Sequence, residues 1–305
     1  MKAQTISAAV RKKHHMDPDA RQAYFMMIIP LILFIALTVY PLIWNMRFSL
    51  YDYNGVQERF IGLANFKRVL TDHAWWKAVW NTFYLSIIKI VIITPVGFIM
   101  GVMLNDKFKG RDFYRVINFV PFVLSMSVMS MAFKVMFSGN GGVINSALMK
   151  LGFISAPVEW LGTEKTAMGT VILVSVWKDL GYTILLILAG LQSIPNEIYE
   201  SASVDGANKV QSVTYITLPQ MMPTMKIILM LEIIGALKVF DLVNVLTDGG
   251  PNGSTEVMMT YLFNYYFGTD MSAAQQGYAA AVGIVASVII GIVTLWYLKL
   301  SNKEE

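Results

Sequence analysis

Ile194-Pro195-Asn196-Glu197-Ile198-Tyr199-Glu200-Ser201-Ala202-Ser203-Val204-Asp205-Gly206-Ala207, running on to Ile216-Thr217-Leu218-Pro219, interrupts two long apolar runs with polar and small residues. A connection of roughly thirty residues inside a compact membrane protein is usually functional. Its residues predict two short helices joined by a forced bend. Asn196, after Pro195, is placed to cap the first, with Glu197 in the first turn, where a carboxylate meets the positive end of the helix dipole. Asp205-Gly206 ends that helix, because glycine takes a positive φ without a Cβ clash. Asn208 and Gln211, three apart, have the pattern of a capping box for the second helix. Pro219 is expected to stop that second helix and to push Leu218 toward extended backbone. Ser201, Ala202 and Ser203 give the first helix low relief. The segment at about 194–219 therefore reads as a bent, exposed helical elbow between two membrane spans.

The composition agrees with that setting. Of 305 residues, 55% are hydrophobic and 14% charged, whereas soluble domains carry about a quarter charged residues. The expected fold is all-α and polytopic, with six transmembrane helices at about 24–46, 80–104, 115–137, 167–192, 225–246 and 279–300. Residues 1–23 form a polar, basic tail and 24–305 the transmembrane domain. The first apolar run starts near Tyr24 and is too long for the core of a cleavable signal. Orientation follows from Lys and Arg in the loops. The tail has Lys2, Arg11, Lys12, Lys13 and Arg21; the 105–115 loop has Lys107, Lys109, Arg111 and Arg115; the end has Lys299 and Lys303; the 247–278 stretch has none. Five in the loop at 47–78 run against the trend. The balance puts both termini and the elbow in the cytoplasm. The net charge of +4 suits a membrane surface better than nucleic acid. Trp75, Trp76 and Trp80 suit the outer interface.

Several chemistries are missing. There is no cysteine, no phosphate-binding Gly-x-x-x-x-Gly-Lys-Ser/Thr, no His-Glu-x-x-His and no Gly-x-Ser-x-Gly. The adjacent His14 and His15 do not share a helical face and are no metal site. The chain reads as a non-enzyme with no metal and no cofactor of its own. Lys209 is the one basic residue between 193 and 224, which argues against helix–turn–helix DNA binding. Ionisable residues inside spans carry more information, since charge at membrane depth is costly and faces the bundle interior or a wet cavity. Lys178 and Asp179 lie in the fourth span and Glu232, Lys238 and Asp241 in the fifth, with Asn244 a turn further. Lys238, Asp241 and Asn244 step by three and would share one helix face. These residues serve either as inter-helix ion pairs or as a polar lining for a hydroxyl-rich solute, with Trp177, Tyr182 and Phe240 as stacking faces. Sugars suit that lining, since their C–H faces pack on aromatics and their hydroxyls need donors and acceptors. Lys89 and Lys134 read as structural. A gradient-driven transporter and a membrane scaffold that presents the elbow to a cytosolic partner are the alternatives. The first is disfavoured by the lack of inverted repeats.

Glu200-Ser201-Ala202, Gly206 and Ile216-Thr217-Leu218-Pro219 resemble the signature of permease subunits of binding-protein-dependent ABC importers, with Ser201 where alanine is usual. Leu188 to Pro195, Phe240-Asp241-Leu242, Leu246 to Pro251, Phe60 to Phe66, Asn81-Thr82 and Gly110-Arg111 extend the likeness to the carbohydrate-importer permeases. The resemblance implies a type I importer fold in a prokaryotic inner membrane, with Glu200, Ser201, Ala202, Asp205, Gly206, Ala207 and Pro219 coupling the chain to an ATPase. It implies a homologous second permease, two ATPase subunits that bind ATP and Mg, an extracytoplasmic solute-binding protein and a sugar substrate. Tyr182 and Glu232 match sugar-contacting positions. Ala236 and Val239 stand where the maltose permease has amides, which argues against maltose itself.

Overall fold

The computed structural model describes residues 18–269 and 272–302. The tail cations Lys2, Arg11, Lys12 and Lys13, the side chain of Arg21, the His14–His15 pair and Lys303 lie outside the described residues. The chain opens with α1 (Pro18–Phe34), a π turn at Ile35–Val39 and α2 (Tyr40–Phe48). Together they give an apolar rod, Tyr24–Phe48, none of whose most apolar stretch is buried against the rest of the chain. A small antiparallel hairpin, β1 (Tyr51–Tyr53) with β2 (Glu58–Phe60), pairs Tyr51 with Phe60. Then come α3 (Ala64–Thr71), α4 (His73–Asn105), α5 (Arg111–Val123), α6 (Met126–Met136), α7 (Val143–Lys150) and α8 (Glu164–Leu191). The elbow holds α9 (Asn196–Val204) and α10 (Lys209–Ser212), and α11 (Leu218–Leu237), α12 (Asp241–Leu246), α13 (Met258–Phe267) and α14 (Gln276–Ser301) complete the chain.

Close backbone approach assembles the centre. In lipid, apolar side chains gain little by leaving lipid for one another, so tight packing decides which helices pair. Gly97 and Gly101, one turn apart on α4, face α8. A Cβ on them would stand 2.9 Å from Thr183 Cγ2 and 2.5 Å from Ile187 Cγ2. Gly181 of α8 admits the backbone of Asn118 and Phe119 of α5 in the same way. Helix α8 is thus clasped between α4 and α5.

At the end of α4 away from the elbow, Asp72 ties four elements together. Its Oδ1 accepts from the amides of Ala74 (2.9 Å) and Trp75 (3.4 Å), capping α4. Its Oδ2 accepts from the hydroxyls of Tyr261 (2.6 Å) and Tyr278 (2.8 Å) on α13 and α14. The Arg68 guanidinium of α3 lies 3.9 Å from the centre of the Tyr278 ring. Burial alone would raise the carboxyl's pKa. The two hydroxyls and two amides outweigh it and hold Asp72 below its ordinary value. Trp75 is fully buried here against Tyr261. Trp76 and Trp80 are exposed.

Three span boundaries differ from the reading of the sequence. Among the described residues, five helices are long and apolar enough to cross a membrane, and a sixth crossing exists only if α5 and α6, bent by 97°, count as one. Pro121 offers no N–H to the helix, and Lys178 Nζ donates to the Phe122 carbonyl (3.2 Å) that a continuous helix would give to Met126. The fifth span starts at Lys209, not 225, and runs unbroken to Leu237. Pro219 therefore does not stop a helix, and Leu218 is helical (φ −61, ψ −48), not extended. A π turn at Val213–Thr217 widens the helix just ahead of the proline, making room for a ring that would otherwise meet the carbonyl four residues back. The same span ends at Leu237. Lys238 (φ −104, ψ 12) and Phe240 (φ −138, ψ −71) leave helical geometry, so Lys238 does not share a helix face with Asp241 and Asn244. The chain turns there because Leu242, Val243 and Leu246 of α12 bury themselves with Val171, Val174 and Met129 of α8 and α6.

Candidate functional site

The elbow is built from its own hydrogen bonds. Asn196 makes no cap. The chain enters α9 through Pro195 (φ −61, ψ 135), and Asn196 is the first helical residue. At the other end, Gly206 has φ +82. The Gly206 amide donates to Ser203 O (3.1 Å) and the Ala207 amide to Ala202 O (2.9 Å), the paired bonds of a Schellman stop. Asn208 Oδ1 accepts from the Gln211 amide, and Gln211 Oε1 accepts from the Asn208 amide, both at 2.9 Å. The capping box read from the sequence is present.

Two contacts fix the elbow against the spans. Ile198 and Tyr199 pack on Ile187, Leu191, Met221 and Met225, and the Tyr199 hydroxyl lies 3.1 Å from Thr217 Oγ1. Lys209 Nζ reaches Asp106 Oδ2 just beyond α4 (3.0 Å). Behind the knob lies a cavity of about 910 Å³ lined by Arg115, Asn196, Tyr199, Lys209 and Thr217. Ala202 is buried, and Ser201 Oγ donates to Ile198 O (3.0 Å). Glu200, Asp205 and Pro219 are exposed. So are three apolar side chains the sequence reading passed over: Val204 (86%), Tyr215 (75%) and Val210 (74%).

Deep in the bundle, Lys89 of α4 joins two of the candidate polar residues. Its Nζ is 2.6 Å from Asp179 Oδ2 on α8 and 3.3 Å from Glu232 Oε2 on α11. Thr183, one turn after Asp179, donates to Glu232 Oε1 (2.7 Å). Lys89 and Glu232 are buried, and one ammonium is shared by two carboxylates from different spans. Lys89 was read as merely structural. The signal for its role is its position in Ile87-Ile88-Lys89-Ile90-Val91-Ile92-Ile93, where a cation at membrane depth requires an anion from another span.

A second group forms where α8 meets the broken third span. Tyr182 stacks on Phe122 (centroids 4.6 Å, planes 14°). The Lys178 ammonium is 5.0 Å from the same ring. Trp177, 42% exposed, meets Phe133 edge-on at 5.1 Å. Lys178 and Tyr182 thus share Phe122, while Trp177 packs separately on Phe133. Lys238 and Asp241 are exposed at the α11–α12 break without an ion-pair partner among the described residues, and Asn244 is half-buried. Phe240 lies against Phe263 (4.9 Å). No group of three His, Asp or Glu among the described residues could hold a metal.

Comparison with known proteins agrees with this architecture. The family model described as "Binding-protein-dependent transport system inner membrane component" matches residues 93–304. The trehalose/maltose transport system permease protein MalF of Thermococcus litoralis is 33% identical over 286 residues, covering 93% of this chain and 95% of that one. The multiple sugar-binding transport system permease protein MsmF of Streptococcus mutans is 35% identical over 281 residues, covering 92% and 94%. Among solved structures, a chain of a bacterial ABC transporter involved in the import of the acidic polysaccharide alginate superposes with a TM-score of 0.80 at 25% identity, covering 93% and 96%.

Proposed function

This chain belongs to the family of inner membrane components of binding-protein-dependent transport systems, a membrane subunit and not an enzyme, and from that premise we propose that it is the sugar-translocating permease of an ABC importer. The observation that carries the reading is the elbow: a capped, bent knob with exposed Val204, Val210 and Tyr215, seated on the ends of α8 and α11. Full-length similarity to permeases named for trehalose/maltose and multiple-sugar transport supports an oligosaccharide or related glycoside as cargo. Residues Glu200, Ser201, Ala202, Asp205, Gly206 and Ala207 dock in a cleft of one of two ATPase subunits, which bind ATP and Mg. Pro219 lies at the base of the rod that receives the motion. A homologous second permease completes the pathway, and an extracytoplasmic solute-binding protein delivers the sugar. The termini and the elbow face the cytoplasm.

Sugar contacts fall to Trp177, Lys178 and Tyr182 beside Phe122, with Lys238, Asp241 and Asn244 at the α11–α12 break. Asp179 and Glu232 stand behind them, held by Lys89. Two measurements test this. Gly206→Asp is expected to uncouple ATP hydrolysis from uptake or to release the ATPase while the chain stays inserted; normal uptake overturns the coupling role. Tyr182→Ala is expected to change uptake kinetics with the ATPase still bound, and unchanged transport removes Tyr182 from the pathway.

A further inference from the structure

We propose that the turn between α4 and α5 is a binding site for the headgroup of an anionic phospholipid in the leaflet on the elbow side. Phe108-Lys109-Gly110-Arg111 is a tight turn, closed by the Arg111 amide donating to Phe108 O (3.3 Å), with Gly110 at φ +91 in the position that needs glycine. The turn forms a shallow depression of about 470 Å³ lined by Lys107, Lys109, Arg111, Phe113 and one carboxylate, Asp112. Both nearby carboxylates are already engaged. Asp106 is held by Lys209 (3.0 Å) and Asp112 by Arg111 (3.1 Å) and Arg115 (3.9 Å). Lys107 and Lys109 are exposed and have no partner among the described residues.

The surroundings select a lipid over a soluble anion. Phe108 (42%), Phe113 (65%) and Tyr114 (52%) are exposed around the cations, the aromatic–basic mixture of a headgroup layer. The same helix face continues as exposed Val116, Ile117, Val120 and Val123, an apolar track for acyl chains starting at the turn. The phosphate accepts from Lys107, Lys109 and Arg111, and the tails lie along α5. The Lys209–Asp106 pair places this turn and the elbow at the same end of the bundle, so the lipid sits next to the coupling region. The inference rests on membership of the inner-membrane family and on this geometry, not on the identity of the cargo.

The test titrates the assembled transporter with phosphatidylglycerol and, separately, phosphatidylcholine, reading bound lipid by native mass spectrometry. The wild type is expected to retain phosphatidylglycerol selectively. Lys107→Gln/Lys109→Gln should weaken that retention by about thirtyfold, from about fivefold per cation removed near an anionic surface. Three outcomes overturn the proposal. Equal retention by the variant means the cations do not bind lipid. Full competition by inorganic phosphate means the site takes a soluble anion. Loss of the ATPase subunit from the variant at constant lipid means the turn is a protein contact. Uptake in the variant is read separately, so failure here is distinguishable from failure of the importer reading.

Discussion

Replacing Lys89 by methionine strips the counter-ion from two carboxylates at once. Methionine keeps most of the side-chain volume, so the loss is electrostatic and not one of packing. Breaking a buried ion pair by removing one partner costs roughly 3–5 kcal/mol, because the remaining charge is buried and uncompensated. Here Asp179 at 2.6 Å and Glu232 at 3.3 Å both lose their cation, and the hydroxyl of Thr183 remains for Glu232 alone. At about 2–4 °C per kcal/mol for chains of this order of size, the apparent melting temperature of the complex in lipid nanodiscs should fall by roughly 6–20 °C at a fixed scan rate. The neutral set Lys89→Met/Asp179→Asn/Glu232→Gln should recover most of that loss, since replacing a whole buried ion network is often close to neutral. If the single substitution melts with the wild type, or the neutral set melts as low as the single one, the three groups do not form one balanced unit.

Further expectations concern the elbow and the far end of the bundle. Gly206→Ala places a Cβ in open space, so its cost is the left-handed backbone alone, about 1–2 kcal/mol; limited proteolysis at 205–208 should speed up about 5- to 30-fold, and an unchanged rate would contradict the Schellman stop. Asn208→Ala removes one half of the capping box and should cost about 1 kcal/mol, visible as faster amide exchange across α10 and none across α8. Glu256→Gln should stabilise the protein near neutral pH. Burial first, and the nearby Asp248 charge, raise the Glu256 pKa against the lowering hydrogen bond from Asn264. A raised carboxyl loses stability as pH rises through its folded value, so the gain from glutamine should fade below about pH 4; a gain that grows in acid would reverse the sign.

The elbow was legible because its determinants are local. Gly206, Asn208 and Gln211 act within a few residues, and each does in the fold what its type dictates. Pro219 was misread because proline is a helix stop only when the helix ahead of it keeps α pitch. The π turn at Val213–Thr217 removes that condition, and no residue type announces it. Lys238 was misplaced for a different reason: burial of Leu242 and Leu246 against other spans ends the helix, and hydropathy along one segment does not record what another segment offers. The buried charges show the same divide. Asp179 and Glu232 stood out as ionic groups in apolar runs, but their common partner could be found only by asking which span carried the missing cation. Helix α13, between α12 and α14, is organised by Asp72, a residue nearly two hundred positions away.

The continuity of Lys209–Leu237 has a mechanical result. At 1.5 Å per residue, Glu232 lies roughly 35 Å along the axis from Lys209, on the same continuous helix, with the widened turn at Val213–Thr217 and Pro223 as irregularities between them. A stop at Pro219 would have put a slack joint there, and movement of the elbow would have been absorbed as bending. Under the coupling role proposed above, the cylinder would work as a pushrod: a shift imposed at its exposed foot would arrive at the Lys89–Asp179–Glu232 cluster with little backlash.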